Sequence, residues 1–189
     1  MNALEGLIPE PQRLEIDHVD VAATPERTWE VARRVNFARS PLIRTLFAIR
    51  TLPTRLVGRQ VETLALRIDD IVAADRPGFR LLAESDREVV VGAIGKVWKL
   101  DIPYLDVRSA KAFARFAEPG YAKVAWALRV LPRGENLARI EVEVRVGATD
   151  RASWARFRRY FWLIGLASRW IRRRLLASLA NELRAPSRS

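Results

Sequence analysis

The chain contains no cysteine. Structural disulfides, thiolate nucleophiles and cysteine-ligated zinc or iron–sulfur sites are therefore excluded. Histidine is nearly absent as well. His18 stands alone, which argues against a Ser-His-Asp triad and against a multi-histidine metal site. A single histidine reads as a surface or hydrogen-bonded residue, so no metal and no cofactor is expected. Acidic charge is scarce, with 22 Asp and Glu against 33 Lys and Arg and a net charge of +11. Long apolar runs are missing too. The longest uncharged stretch near the C-terminal end is Tyr160 to Ser168, nine residues. A bilayer span needs ~20. Residues Met1 to Glu15 lack a basic region followed by an apolar run, so no secretory signal is expected and a cytoplasmic setting fits.

What remains is 189 residues, 49% of them hydrophobic, enough for one domain with a sizeable core. The positive charge is concentrated. Residues 151–189 hold ten arginines and one acid, Glu182, so this fifth of the chain carries +9 of the +11. A cationic stripe attracts anionic lipid or nucleic acid. Arginine outnumbers lysine 29 to 4 throughout, so a solvated helix face in an arginine-rich chain explains the bias equally well.

Periodicity supplies an order of elements. Glu15 to Val21 reads as a first strand with Val19 and Val21 on one face. Thr24-Pro25-Glu26 opens a helix, since threonine suits the N-cap, proline the first helical position and glutamate the positive helix end. Ser40-Pro41 repeats the signal for a short helix to about Thr51. Residues 54–62 read as a connector and 64–74 as a further short helix containing Asp69-Asp70. Phe79 to Glu84 and Arg87 to Lys99 form a hairpin about Ser85-Asp86, with Gly92 and Gly95 placed to allow a bend or bulge. Ser109 to Phe116 suits a short helix. Tyr121 to Leu131 puts Val124, Trp126, Leu128 and Val130 on one face. After a turn at Pro132-Arg133-Gly134, Ile140, Val142, Val144 and Val146 point in, while Arg139, Glu141, Glu143 and Arg145 point out. Strict alternation of this kind marks a half-buried antiparallel strand. From a cap at Thr149 or Asp150, one amphipathic helix then runs to Arg184. It would be ~50 Å long if unbroken, and Gly165 could bend or break it.

A sheet followed by one long terminal helix predicts an α+β helix-grip fold, a curved antiparallel sheet wrapped around that helix. The wording of several segments agrees. Ala22-Ala23-Thr24-Pro25-Glu26-Arg27-Thr28-Trp29, Val91 to Trp98, Phe116 to Trp126 and Phe157-Arg158-Arg159-Tyr160 together resemble the START-like, pollen-allergen-like superfamily known as SRPBCC, in a bacterial branch. The resemblance covers about Glu15 to Leu183 and implies a single domain over residues 1–189 with its core at about 15–183. It also implies a cavity for a hydrophobic molecule. Members of that superfamily carry lipids, bind hormones or cyclise polyketides, and no catalytic residue of theirs matches a position here.

The candidate ligand-binding side chains are Trp98, Phe113, Phe116, Trp126, Trp154, Phe157 and Phe161, because pockets for small apolar molecules are lined mainly by such groups. Arg80, Glu84, Tyr104 and Tyr121 are the polar groups that would orient a ligand; no catalytic residue stands out. The expected function is binding or transport of a small hydrophobic ligand, lipid or polyketide-like, between sheet and helix. A polyketide cyclase or aromatase using the same cavity is the enzymatic alternative. Contact of the arginine-rich helix with an anionic membrane is a further one, helped by Trp162 and Trp170 beside arginines. Nucleic acid is a weaker partner, since no recognition motif accompanies the charge.

Overall fold

The computed structural model describes residues 3–34, 78–99 and 101–184. The helices read over 40–51 and 64–74, the connector 54–62 and the tail 185–189 lie outside the described residues.

The elements run α1 (Ala3–Leu7), β1 (Arg13–Val21), α2 (Pro25–Arg34), β2 (Arg80–Ser85), β3 (Glu88–Gly95), α3 (Ala110–Arg115), β4 (Ala122–Gly134), β5 (Leu137–Ala148) and α4 (Arg151–Arg184). The five strands form one antiparallel sheet in the order β1-β5-β4-β3-β2. Register irregularities at Leu81/Ala83 and Pro132/Gly134 bend it at its margins. The hairpin turn after β4 falls beyond Pro132, at Glu135-Asn136, because the strand continues through Gly134.

Local chemistry sets the helix starts. The Thr24 hydroxyl accepts the Arg27 amide at 3.3 Å, with Pro25 in the first turn. Ser109 caps α3 by accepting the Ala112 amide at 3.1 Å. Asp150 caps α4: its carboxylate accepts the Ser153 amide at 2.8 Å and the Ser153 hydroxyl at 2.6 Å, and it also accepts the Gly120 amide at 2.6 Å. The Ser153 hydroxyl foremost, then the Gly120 and Ser153 amides, hold this carboxyl well below the usual carboxylate range. The cap therefore also fastens the start of α4 to the turn before β4. Thr149 does the same through Tyr121, whose amide its hydroxyl accepts at 3.1 Å.

The sheet is covered on both faces. The inner face, carrying Val89, Val91, Leu128, Val130, Ile140 and Val142, packs on α2 and on the last turns of α4 through Trp29, Leu176, Leu179 and Leu183. The outer face is not solvent-facing as the alternation of β5 suggests. There α1 and α3 lay Leu4, Leu7, Ile8 and Phe113 over Val90, Ile94, Ala125 and Ala127. Beside them Glu143, only 2% exposed, lies between two guanidiniums, Arg129 at 2.9 Å and Arg145 at 2.5 Å. Arg145 also donates to the Ile8 carbonyl at 3.1 Å, so α1 closes over this cluster. Buried charges need such pairing, because an unpaired ion in the interior costs several kcal/mol.

Two glycine expectations are revised. The bulge of the first hairpin lies in β2, not at Gly92. A Cβ on Gly92 would stand 2.5 Å from Leu82 Cδ1 and 2.9 Å from the Phe113 ring, so glycine here lets α3 press onto the sheet. Gly165 does not interrupt α4, which is helical over all 34 residues. Instead the Phe161 ring lies against it, 2.6 Å from where a Cβ would be.

Candidate functional site: the divided core beneath the final helix

The inner face is built from odd-numbered residues of β1 and β3 and even-numbered residues of β4 and β5. Cross-strand partners share a face. Three rows of them cross the sheet beneath α4. Ala93, Val124, Val146 and Arg13 form one, Val91, Trp126, Val144 and Glu15 the next, and Val89, Leu128, Val142 and Asp17 the third.

The packing on these rows falls into two clusters, joined through Val144. At the N-terminal half of α4, Phe157 closes over Val97, Ala122 and Val146. At its C-terminal end, Leu176 and Leu179 close over Leu128, Ile140 and Val142. Between these two clusters Val124, Trp126 and Val144 stay only partly buried, although they sit on the central strand β4 and its neighbour β5 and face the helix. Helix and sheet that meet fully leave such positions no solvent contact. These partly buried positions mark the candidate ligand site beneath α4.

Its walls are aromatic at one end and ionic at the other. Trp154, Phe157 and Phe161 stack in sequence along α4, with ring centroids 5.6 Å apart at each step. Trp98 and Ile102 pack against the same cluster. At the β1 edge, Arg172 reaches in from α4. Its Nε donates to Asp17 at 2.7 Å, one terminal nitrogen to the Ser168 hydroxyl at 2.9 Å, and the other to Glu15. Arg13 bonds Glu15 at 2.5 Å and lays its guanidinium over the Phe161 ring, 4.5 Å from the centroid. Arg173 approaches Asp17 at 3.6 Å. The candidate site is thus apolar with one polar rim.

The side chains expected at the site divide between the two faces. Trp98, Trp126, Trp154, Phe157 and Phe161 gather under α4. Phe113, Phe116 and Tyr121 do not join them; they belong to the outer-face cluster, because α3 packs on the side of the sheet away from α4. There Phe116 meets Tyr121 edge-on at 5.5 Å. Arg80 also lies on that face and bonds Asp106 at 3.2 Å. Glu84 is on the inner side but at the sheet margin, in an ion pair with Arg33 of α2 at 2.7 Å. Tyr104 bridges to Gly95 and tilts against Phe79. Glu15, Asp17 and Arg172 were not foreseen. The signal was present, since the phase that turns Val19 and Val21 inward also turns Glu15 and Asp17 inward.

A second depression lies on the outer face. It has about 270 Å³ between Ile8, Pro9, Glu10, Lys123 and Gly147 to Thr149. Burial pushes the Lys123 ammonium down in pKa. That ammonium is already engaged, donating to the Ala114 carbonyl at 2.8 Å above the Phe113 ring. It secures the end of α3 to the sheet. Among the described residues no group of three or more His, Cys, Asp or Glu side chains is placed to hold a metal ion.

No protein-family model matches the chain, and no curated protein matches it in sequence. Solved structures similar to it include a point mutant of norcoclaurine synthase from Thalictrum flavum in complex with a transition-state analogue. That likeness has a TM-score of 0.42 at 11% identity and covers 92% of this chain and 96% of that one. Norcoclaurine synthase from the same organism with dopamine and hydroxybenzaldehyde is similar with a TM-score of 0.31 at 8% identity, over 90% and 87% of the two chains. No residue role is carried over from either. The helix-grip arrangement stands on the five-stranded sheet and on the helix packed across it.

Proposed function

We propose that this chain is a single START-like domain, with its core at about residues 15–183, that binds a small hydrophobic molecule, lipid or polyketide-like, in the recess between its sheet and its final helix. The observation that carries the reading is the partial exposure of Val124 and Val144, which face α4 between the two clusters. Completing the burial of such apolar positions is worth ~1.5–3 kcal/mol for each large side chain. A guest lying against Val124 and Val144 would supply it. Its polar end would lie toward Ser168 and Arg172, and its apolar body toward Trp126 and Phe161.

Native mass spectrometry of the protein isolated from its own host tests this. The expected result is a co-purifying hydrophobic compound that is lost in Val144→Phe, which fills the recess, and in Phe161→Ala, with the circular dichroism unchanged. An empty protein that also takes up no member of a panel of fatty acids and polyaromatic compounds would overturn the reading. So would uptake indifferent to both substitutions. Chemical conversion of a bound polyketide-like compound would favour the cyclase alternative over simple carriage.

A further inference from the structure

The middle of α4 presents large apolar groups to solvent. Trp162 and Leu166 are each 84% exposed and Trp170 is 42% exposed. They are spaced four residues apart, so they stand on one face of the helix, over ~12 Å of its length. This face lies away from the sheet, which α4 meets through Phe157, Leu176 and Leu179. Two features separate this stripe from an ordinary exposed leucine. Its members are contiguous and include two tryptophans, and arginines frame it. Arg158 and Arg159 stand one turn before Trp162, Arg169 lies between Leu166 and Trp170, and Arg173 follows one turn later; all four are exposed. The Arg174 guanidinium lies over the Trp170 ring, 4.8 Å from its centroid. The sole acid of α4, Glu182, is three turns beyond the stripe.

We infer that this face of α4 is a docking surface for an anionic phospholipid bilayer, lying in the plane of the interface. The stripe would enter the boundary between headgroups and acyl chains, where tryptophan is favoured. The arginines would reach out to the phosphates, their stems covering apolar surface. No helix of the described residues is long and apolar enough to cross a membrane, so the contact is peripheral. Charge decides against a second copy of the chain, since two such faces would bring arginines together without acids to pair them. Nucleic acid is disfavoured because Leu166, at the centre of the stripe, has no ring to stack on a base. The inference rests on exposure and charge, and does not depend on the ligand reading.

The test is sedimentation of the full chain with vesicles of phosphatidylglycerol and phosphatidylcholine, against vesicles of phosphatidylcholine alone. Binding to the anionic vesicles, weakened by salt, is expected. The triple variant Trp162→Ser/Leu166→Ser/Trp170→Ser should bind about tenfold more weakly or worse. Arg158→Gln and Arg159→Gln should each weaken binding about fivefold. Leu166→Asp alone gives the same reading should the triple variant fold poorly. No binding to anionic vesicles would overturn the inference. Equal binding by wild type and Leu166→Asp would also overturn it. So would tighter, serine-insensitive binding to a duplex RNA, or a dimer that Leu166→Asp dissolves. Loss of vesicle binding would leave ligand capture by the recess untouched, so the two proposals fail separately.

Discussion

Replacing Arg172 by methionine isolates the ionic rim of the recess. Methionine keeps the length and apolar stem of arginine and removes the guanidinium. Glu15 and Asp17, both about nine-tenths buried, then face the helix without their main partner. Removing one member of a buried ion cluster costs about 3–5 kcal/mol, mostly as the penalty of the charge left behind. Here the lower end applies, because Arg13 still bonds Glu15 at 2.5 Å and Arg173 still lies 3.6 Å from Asp17. The expected loss is therefore about 3 kcal/mol, or about 6–12 °C in Tm for a domain of this size. Equilibrium unfolding in urea, followed by tryptophan fluorescence and far-UV circular dichroism, reads it directly. The companion variant Arg172→Met/Glu15→Gln/Asp17→Asn removes all three charges. It should recover to within about 1 kcal/mol of wild type, since a buried ionic set replaced as a whole is often neutral. With Glu15→Gln/Asp17→Asn as the fourth corner, the cycle gives the coupling. A single-variant loss below about 1 kcal/mol, or a triple variant no better than the single one, would refute the argument that Arg172 is held by these two acids.

Leu179→Ala removes a fully buried side chain from the junction of α4, α2 and the sheet, and should cost about 2–5 kcal/mol in urea unfolding. Gly92→Ala puts a methyl 2.5 Å from Leu82 Cδ1 and 2.9 Å from the Phe113 ring, so α3 must shift; a loss of about 1–3 kcal/mol is expected, and an unchanged urea midpoint would contradict the close packing of α3. Asp150→Asn keeps the side-chain shape and one acceptor oxygen, and removes the charge and one of the two carboxylate acceptors. Because the folded carboxyl titrates below its unfolded value, its stabilisation is complete above the unfolded pKa of about 4 and disappears as the pH falls through the folded one. The gap in urea midpoint between wild type and Asp150→Asn should therefore be full near neutrality and shrink in acid. A gap that widens on acidification would reverse the sign and refute it.

The strands were legible where alternation was strict. Ile140 to Val146 and Val124 to Val130 do face the final helix, in the phase their spacing predicts. The cover on the other face was harder to read. A six-residue helix such as α3 displays Phe113 and Phe116 on one side, but its own residues do not say which face of a sheet it will meet. The five residues of α1 carry Leu4 and Leu7, with Ile8 following, at the spacing of one apolar face; so short a segment forms a helix only because the sheet receives it. Arg172 was hidden for a different reason. It stands in a run of three arginines, and only the position of β1 beside α4 distinguishes it from Arg173 and Arg174, which remain exposed.

One signal for the double cover was present. Val89-Val90-Val91-Gly92-Ala93-Ile94 is apolar at every position, and in the structure all six are buried. A strand with one wet face alternates; a strand without alternation is covered on both sides. That requirement explains why α1 and α3 exist, and it sharpens the case for the recess. The outer face opposite Trp126 is sealed, with Ala125 and Ala127 fully buried beneath α1 and α3. The solvent that reaches Trp126 and Val144 therefore does not come through the sheet. It reaches them on the α4 side, where the opening for a ligand would lie. A guest in that opening would touch Trp126 and Val144 from the helix side alone, so filling it by Val144→Phe should block binding while leaving the Phe113 side of the sheet unaltered.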